Sequence, residues 1–406
     1  MSLDLLAGAA SAARDAAHWQ GITAATGGLS GPVAVLSAEA LRYNAADMLV
    51  RAGGVPIRVA SKSVRVREVV DAVLALPGYA GILAFTLPEA LWLAADHDDV
   101  VVGYPTADRA AIAALAADES AASRVTLMVD DIAQLDLVDA VAPPGRRAVL
   151  RVAIDADASW RAAVLGHIGV RRSPVHDPAE VVALARRIAA RPGFALVGLM
   201  MYEAQIAGQP DAAGPGDPVI RWMQRRSAAE LAERRSHVVA GVRGVADLAF
   251  VNGGGTGSLE VTASESAVTE LTAGSGLLAG HLFDGYRAFT PAPAAAFGLE
   301  VVRKPRPDIA TVLGGGWIAS GPPVASRQPR PVWPEGLTTL GREGAGEVQT
   351  PLEGAAARDL AIGDRVWFRH AKSGELAERV DRYHLVDGGA LAGELPTYRG
   401  EGKAFL

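Results

Sequence analysis

The sequence predicts an α/β protein, a (β/α)8 TIM barrel followed by a mostly-β C-terminal domain. Between residues 55 and 276, eight short apolar runs alternate with Ala-rich amphipathic stretches. Near-continuous apolar strands separated by helices are typical of a parallel sheet covered on both faces, and eight such units fit a closed barrel. After residue 287 prolines become frequent and helical periodicity fades. An open doubly wound sheet is the alternative, because a strand count from a single sequence can miss or add a strand.

The predicted barrel strands are short and rich in β-branched or other apolar residues. They are Val55–Ala60, Gly81–Phe85, Val100–Gly103, Val125–Val129, Ala148–Ile154, Ala195–Tyr202, Leu248–Asn252 and Glu270–Ala273. Amphipathic helices are predicted between them, for example at Val64–Leu76, Pro88–Ala95, Thr106–Ala117 and Pro178–Ala190.

Three regions are predicted along the chain. Residues 1–30 form an N-terminal segment that packs on the β-domain, residues 31–286 form the barrel, and residues 287–406 form the C-terminal β-domain. Ahead of the barrel strands, Pro32–Leu36 is predicted as an extra strand. Ser37 then caps a helix that ends before Gly53 and Gly54. The strands predicted in the C-terminal domain are Gly298–Arg303, Ile309–Leu313, Arg365–Arg369 and Tyr383–Val386.

Composition excludes several classes of protein. Half of the 406 residues are apolar, which is enough for a sizeable core, and the net charge of -6 without a basic stripe argues against a nucleic-acid partner. The chain has no cysteine, which excludes disulfides and thiolate metal sites. No apolar run reaches the roughly 20 residues of a membrane span, and the N-terminal residues lack the pattern of a signal peptide. We therefore expect a cytoplasmic protein without a membrane partner.

Two glycine-rich loops follow the predicted seventh and eighth strands, where barrels of this class often hold a phosphate. The first loop is Asn252-Gly253-Gly254-Gly255-Thr256-Gly257-Ser258, and the second is Gly274-Ser275-Gly276. Glycines let backbone N–H groups approach an anion closely, and the hydroxyls of Thr256 and Ser258 add donors. Tight turns without a ligand are the alternative. The positions of the two loops favour a phosphate site.

Lys62 ends the first predicted strand, four residues after Arg58. Strand one neighbours strand eight in a closed barrel, so Lys62 should face the same pocket as the glycine loops. Desolvation and a nearby cation such as Arg58 favour the neutral amine, which can form a Schiff base. A surface lysine at the start of a helix is the alternative. Other polar residues at strand ends that could line the pocket are Thr86, Tyr104, Asp155, His167, Tyr202, Glu203 and Asn252.

With these motifs the chain resembles the alanine-racemase-like, fold type III pyridoxal-phosphate enzymes. Within them it is most similar to the D-threonine aldolase and D-serine dehydratase family, and to bacterial proteins called amino acid deaminase/aldolase. The setting of Lys62 after the first strand looks like the family's cofactor lysine. The run 252–257 looks like its Ser-Gly-Gly-Gly-Thr-Gly phosphate loop, and Tyr202 falls where the family has a tyrosine near the cofactor.

The resemblance implies pyridoxal 5'-phosphate as the cofactor and assigns residues to it. These are Lys62, His167, Tyr202, Asn252, Gly254, Gly255, Thr256, Gly257, Gly274, Ser275 and Gly276. His167 is a departure from the family, which often has an arginine in a Gly-Arg-x-Gly-Val stretch at the pyridine nitrogen. Here that stretch is 166–170, and Arg171 and Arg172 lie close by in sequence.

A second departure concerns a metal ion. The resembled enzymes bind a divalent ion through a His-x-Asp or His-x-Cys pair in the C-terminal domain, and the ion polarises the substrate's β-hydroxyl. Here the pair is His370 and Lys372. An ammonium group cannot ligate a cation, so the pair argues against a divalent metal. If a metal is bound, His370 is its predicted ligand. Lys372 is predicted to supply the positive charge instead, and a surface lysine with changed or lost lyase activity is the alternative.

The resemblance implies a lyase, an aldolase or a dehydratase/deaminase, that acts on a small β-hydroxy D-amino acid. The predicted catalytic residues are Lys62, Tyr202, His370 and Lys372. The family also implies a homodimer. The alternatives are a pyridoxal-phosphate-dependent amino acid racemase, a pyridoxal-phosphate-binding protein without turnover, and a barrel enzyme that uses another phosphorylated ligand.

Overall fold

The structure is a computed structural model that describes residues 3–6, 15–372 and 374–406. Backbone proximity divides the chain into two compact units. The barrel unit contains Met48–Lys62, Pro77–Gly274 and Phe405–Leu406, and the sheet unit contains Met1–Asp47, Ser63–Leu76 and Ser275–Ala404. None of the helices in the described residues is long and apolar enough to cross a membrane.

The strands of the described residues are β1 (Val33–Ser37), β2 (Ile57–Ala60), β3 (Tyr79–Ala84), β4 (Val100–Val102), β5 (Val125–Val129), β6 (Leu150–Asp155), β7 (Trp160–Ala162), β8 (Gly166–Ile168), β9 (Phe194–Met201), β10 (Phe250–Gly253), β11 (Glu270–Ala273), β12 (Ala295–Arg306), β13 (Ile309–Leu313), β14 (Arg330–Trp333), β15 (Thr338–Thr339), β16 (Gln349–Glu353), β17 (Arg365–Arg369), β18 (Arg382–Asp387) and β19 (Ala390–Pro396).

The α-helices are α1 (Ala16–Ala25), α2 (Ala38–Arg51), α3 (Arg67–Leu74), α4 (Leu87–Leu93), α5 (Arg109–Ala117), α6 (Glu119–Arg124), α7 (Ile132–Val141), α8 (Pro178–Ala189), α9 (Ala204–Ala207), α10 (Asp217–Arg243), α11 (Leu259–Ala263) and α12 (Ser275–Leu278). The sequence signals at their starts are seen in the structure. Ala40 N–H donates to Ser37 Oγ at the start of α2, and Asp131 and Gln134 form a capping box at α7.

A closed barrel of eight parallel strands forms the barrel unit, in the order β10-β11-β2-β3-β4-β5-β6-β9. The barrel closes where its last strand along the chain, β11, pairs with its first, β2. Strands β9 and β10 also pair, which completes the ring. The eight predicted strands are these eight, and the predicted (β/α)8 fold is confirmed. Strands β5 and β11 have the predicted bounds, and the others differ by a few residues at their ends.

The interior of the barrel is filled by apolar side chains from adjacent strands. Leu83, Val101, Met128, Ala153, Met200 and Phe250 form one buried cluster, and each comes from a different strand. Because the barrel is packed rather than hollow, polar side chains that reach a ligand must lie at the ends of the strands. The carboxyl ends of parallel strands share one rim, which is where Lys62, Tyr202 and the first glycine loop are found.

A nine-stranded sheet forms most of the sheet unit and confirms the mostly-β prediction for the C-terminal part. Its main order is β15-β16-β13-β12-β1-β18-β19, and β17 pairs with both β12 and β14. Strand β1 is antiparallel to β12 and parallel to β18, so the early strand predicted at Pro32–Leu36 belongs to this sheet. Its apolar face packs in a cluster with Trp19, Ile22, Trp367 and Val386.

Several elements were not predicted. Strands β14 and β16 contain Pro331 and Pro351, and proline inside a run argues against a strand when only the sequence is read. Strand β19 has a glycine, Gly393, in its interior. The hairpin β7–β8 and the long helix α10 were also missed.

Candidate active site

Lys62 lies at the carboxyl rim of the barrel, in a single 3-10 turn (Ser61–Ser63) directly after β2. Its amino group donates a hydrogen bond to the phenol oxygen of Tyr104, and it lies 5.1 Å from the centre of the Tyr104 ring. Tyr104 follows β4 by two residues, so two strand ends bring this pair together. Both side chains are half-buried.

Arg58 does not act as the uncompensated cation that the sequence suggested beside Lys62. Its guanidinium is buried and paired with Glu270 at 2.8 Å and with Asp99 at 2.9 Å, and it lies over the ring of Phe250. Arg58 lies within β2 and Lys62 lies in the turn after it, so their side chains can point in different directions. The charge of Arg58 is therefore balanced inside the barrel.

The first glycine loop follows β10 at the same rim, and Glu203 lies beneath it. The Glu203 carboxylate accepts hydrogen bonds from Gly254 N–H at 3.2 Å, Ser258 Oγ at 2.8 Å and Thr262 Oγ1 at 2.5 Å. Gly255 N–H donates to Ser258 Oγ at 3.2 Å. Ser258 therefore uses its hydroxyl inside the loop, whereas the sequence suggested that it donates to an anion.

Two arginines hold this region. Arg235 Nη2, on α10, donates to Glu203 Oε2 at 2.9 Å, and its Nη1 pairs with Glu265 at 2.5 Å. On the other side Arg51 Nη2 donates to the carbonyl of Thr256 at 2.6 Å. Burial raises the pKa of Glu265, and the Arg235 guanidinium opposes that rise.

Glycine is required in the loop for steric reasons. A Cβ on Gly255 would lie 2.8 Å from the Cβ of Ala207 and 3.2 Å from Cε2 of Tyr202. Gly254 has a φ of 82° and a built Cβ would be 3.1 Å from Leu271. In the second loop, a Cβ on Gly274 would be 2.5 Å from the carbonyl oxygen of Ala60. The loops thus keep bare backbone at the rim.

An anion fits the donors that this backbone offers. The N–H groups of Gly254 and Gly255 are used within the loop. The backbone N–H of Gly257 meets no acceptor among the residues that the structure describes. The N–H of Gly257 is therefore a donor that suits a phosphate. An amine and a phosphate-binding loop on one rim suit a ligand with an aldehyde and a phosphate.

Tyr202 follows β9 and lies against the first glycine loop, as the short distance from a Gly255 Cβ shows. The surrounding protein atoms and the neighbouring Glu203 carboxylate raise the pKa of Tyr202 to about 12. Its phenol therefore stays protonated at neutral pH and can donate a hydrogen bond.

Two residues assigned to the cofactor by resemblance have polar partners within the barrel unit. The side-chain amide of Asn252 donates to Glu270 Oε1 at 2.8 Å and to Thr272 Oγ1 at 2.7 Å. His167 lies in the β7–β8 hairpin with its Nε2 3.2 Å from the carbonyl oxygen of Val170. Their contact with a cofactor stays a prediction.

An acidic group that the sequence named without a role lies at the end of β6. Burial, and then the Asp130 carboxylate, raise the pKa of Asp155 to about 7, while Arg172 lowers it. Arg172 also lowers the pKa of Tyr202. Arg172 is therefore a cation near these two groups. In the sequence, Arg172 lies two residues beyond the stretch 166–170, in which the resembled family often has an arginine.

His370, Lys372, Ser275 and Gly276 belong to the sheet unit. His370 directly follows β17 and is fully buried, and Lys372 N–H donates to Glu375 Oε1 at 2.6 Å. Burial raises the pKa of Glu375 to about 7. Ser275 and Gly276 begin α12. The catalytic, metal-binding and cofactor-binding roles of these four residues stay predictions.

From the sequence, Tyr104 and Glu203 are distinguished only as strand-end residues, and Arg235 and Thr262 are not distinguished at all. A polar residue one or two positions beyond a barrel strand was the available signal, but it did not rank these residues above Thr86. Thr86 instead caps helix α4, where its Oγ1 accepts from Glu89 N–H at 3.3 Å. No local pattern marks Arg235 in the middle of a long helix.

Comparison with known proteins gives a family match. The family model described as "Alanine racemase, N-terminal domain" matches residues 36–241. The chain is 29% identical over 248 residues to 3-hydroxy-D-aspartate aldolase of Paracoccus denitrificans. That alignment spans 60% of this chain and 59% of the relative's own length.

Solved structures share the fold. D-Threonine aldolase from Filomicrobium marinum superposes with a TM-score of 0.76 at 20% identity, over 91% of this chain and 95% of that one. D-threo-3-Hydroxyaspartate dehydratase from Delftia sp. HT23 superposes with a TM-score of 0.69 at 20% identity. The superposition covers 91% of this chain and 97% of that one. These similarities and the family match confirm the family resemblance inferred from the sequence.

Proposed function

Because the chain belongs to the alanine racemase N-terminal domain family, we propose that it is a pyridoxal 5'-phosphate-dependent lyase for small β-hydroxy D-amino acids. The reaction is an aldol-type cleavage of the Cα–Cβ bond or a dehydration that removes the β-hydroxyl. The similarity to 3-hydroxy-D-aspartate aldolase supports a β-hydroxy D-amino acid as substrate. The fold shared with an aldolase and a dehydratase supports both reactions.

One observation carries the proposal: Lys62 and the first glycine loop occupy one rim of one closed barrel. A lysine amine at a strand end can bond the aldehyde carbon of the cofactor. A loop of bare backbone and hydroxyl groups can hold the phosphate at the other end of the same molecule. The amine alone, or the loop alone, would not distinguish this cofactor from other ligands.

Each residue of the rim then has a defined task. When bound, the cofactor supplies an electron sink for negative charge that develops at the substrate's α-carbon. Thr256 and Gly257 hold the phosphate, and Tyr202 donates a hydrogen bond from beside the loop. Tyr104 holds a proton at the Lys62 amino group, so that this group can accept and return a proton during turnover.

The other predicted groups complete the proposal by family resemblance. His370 or Tyr202 handles the proton on the face of the substrate opposite Lys62, and Lys372 supplies positive charge to the β-hydroxyl or to a carboxylate. We also propose that the protein is cytoplasmic and works as a homodimer. Sedimentation of the purified protein tests the dimer: a monomeric mass at micromolar concentration would contradict it.

Absorption spectroscopy of the purified protein tests the cofactor. We expect a cofactor band that borohydride fixes to the peptide containing Lys62, and not to peptides containing Lys304, Lys372 or Lys403. Lys62→Ala should lose the band, and the matched variant Lys403→Ala should keep it. If added cofactor gives wild-type protein no band, the proposal is wrong.

Substrate assays test the reaction. D-Configured β-hydroxy amino acids, including D-threonine and 3-hydroxy-D-aspartate, are offered to the holoenzyme. Release of an aldehyde indicates cleavage, and release of ammonia with a keto acid indicates dehydration. We expect one of these products and no reaction with the L-enantiomers. Interconversion of enantiomers without either product would contradict lyase activity.

A further inference from the structure

Glu203 is the centre of a buried polar network beneath the first glycine loop. We propose that Glu203 is a positioning residue that fixes the phosphate-binding conformation of this loop, an inference that rests on the proposed function. The carboxylate does not need to touch the phosphate. It acts through the backbone and hydroxyl groups of the loop, which it holds from the inside.

Each of the two carboxylate oxygens of Glu203 accepts two hydrogen bonds, and the two sets of donors are different. Oε2 accepts from Gly254 N–H at 3.2 Å and from Arg235 Nη2 at 2.9 Å. Oε1 accepts from Ser258 Oγ at 2.8 Å and from Thr262 Oγ1 at 2.5 Å. One side chain thus connects Gly254 inside the loop with Ser258 at its end and with Thr262 in α11.

Burial makes these contacts costly to lose. Glu203 is 1% exposed and Ser258 and Thr262 are also buried, so a donor released from the carboxylate would find no water to bond. Gly254 adopts a left-handed conformation, which an unrestrained loop need not keep. The network therefore selects one loop conformation among those that three successive glycines allow.

The network also places a cation beside Glu203 near the proposed anion site. A lone carboxylate under the loop would repel a phosphate, but the Arg235 guanidinium pairs with it and is itself fully buried. Arg235 also pairs with Glu265, which ties the segment after α11 to the same cation. Gly254 N–H and the Ser258 hydroxyl point at Glu203. The outer N–H of Gly257, which meets no acceptor among the described residues, remains for the phosphate.

The experiment compares two ligands that differ only in the phosphate. Apoprotein is titrated with pyridoxal 5'-phosphate and with pyridoxal, and borohydride trapping confirms that each bonds Lys62. Circular dichroism and melting temperature check that each variant is folded. The measured quantity is the ratio of the two dissociation constants, which isolates the contribution of the phosphate.

Three variants are compared with wild type. Glu203→Gln removes the charge and one acceptor oxygen, and Thr262→Val removes one loop anchor without touching the ion pair. Thr126→Val is the control, because Thr126 is a fully buried threonine of β5 whose hydroxyl accepts from Arg151 Nε at 3.2 Å, away from the loop.

We expect Glu203→Gln to weaken pyridoxal 5'-phosphate binding about tenfold or more and Thr262→Val about threefold. The affinity for pyridoxal should change less than about twofold in both, and Thr126→Val should leave the ratio unchanged. If the two loop variants weaken both ligands equally or neither, Glu203 has no positioning role. If wild-type apoprotein binds neither ligand at Lys62, the proposed function fails first.

Discussion

The amino group of Lys62 donates a hydrogen bond to the phenol oxygen of Tyr104, and the two residues come from the ends of different barrel strands. The same amine lies 5.1 Å from the ring centre of Tyr104. A phenol oxygen that accepts a hydrogen bond from the reacting amine can hold the amine's proton and orient the amine. This contact leads to the first prediction.

Tyr104→Phe should lower kcat about 100-fold, because the phenol no longer exchanges a proton with Lys62. The cofactor should still bind, since Lys62 and the loop are unchanged. Steady-state kinetics and the absorption spectrum measure these two effects. Tyr79→Phe is the matched control, because Tyr79 lies at the amino end of β3, away from the rim, and its kcat should equal that of wild type. An unchanged kcat in Tyr104→Phe would remove Tyr104 from the mechanism.

Gly255→Ala should weaken cofactor binding about tenfold or more, because the new methyl group would lie 2.8 Å from Ala207 and push against Tyr202. The melting temperature should change little, since the strain is confined to the loop. Titration of apoprotein with pyridoxal 5'-phosphate measures the effect. Gly145→Ala adds a methyl group where no atom lies within 4 Å and should bind the cofactor like wild type. Equal affinity of both variants would contradict the steric argument.

Asp155 should make the wild-type protein less stable as the pH rises from about 4 to 7. Its pKa is about 7 in the folded protein because of burial, and about 3.9 in the unfolded chain. Within that interval the folded protein holds a proton that the unfolded chain has lost, so the free energy of unfolding falls with pH and levels off above 7.

Asp155→Asn should reduce this slope, and Glu375, whose pKa burial also raises to about 7, should keep part of it. The variant should gain of order 2 kcal/mol over wild type at pH 8, and no comparable gain at pH 4. Urea denaturation of both proteins between pH 4 and pH 8 measures this difference in the free energy of unfolding. Asp247→Asn changes an exposed carboxyl of the barrel unit and should follow the wild-type profile. A gain at pH 4 as large as that at pH 8 would contradict the assignment.

We predict that activity survives removal of divalent ions, because the resemblance places Lys372 where the resembled enzymes have a second metal ligand, and an ammonium group repels a cation. We expect unchanged kcat after dialysis against EDTA and less than stoichiometric metal by mass spectrometry. Lys372→Asp restores a His-x-Asp pair with His370 and should bind zinc, whereas Lys403→Asp should not. One firmly held zinc per wild-type chain would overturn the idea that Lys372 replaces the ion.

The fold was predictable because its signals are local. Each barrel strand is a short apolar run between amphipathic stretches, and β5 and β11 have the bounds that the sequence predicted. In the C-terminal part, β13 and β17 were predicted with their observed bounds. Strands β14 and β16 were missed because proline conceals a strand whose hydrogen bonds are supplied by neighbours far along the chain.

The candidate site also has features that the sequence predicted and features that only the tertiary structure shows. The sequence by itself determined that Lys62 and the glycine loop end barrel strands, because strand order and the shared rim follow from the (β/α)8 pattern. Only the tertiary structure decided which groups these residues contact. Glu203 meets Arg235 across 32 positions, Gly254 across 51 and Thr262 across 59. Arg58 turns away to Glu270 across 212 positions. Such contacts depend on side-chain directions that packing fixes after the barrel closes, and no local pattern of residues encodes them.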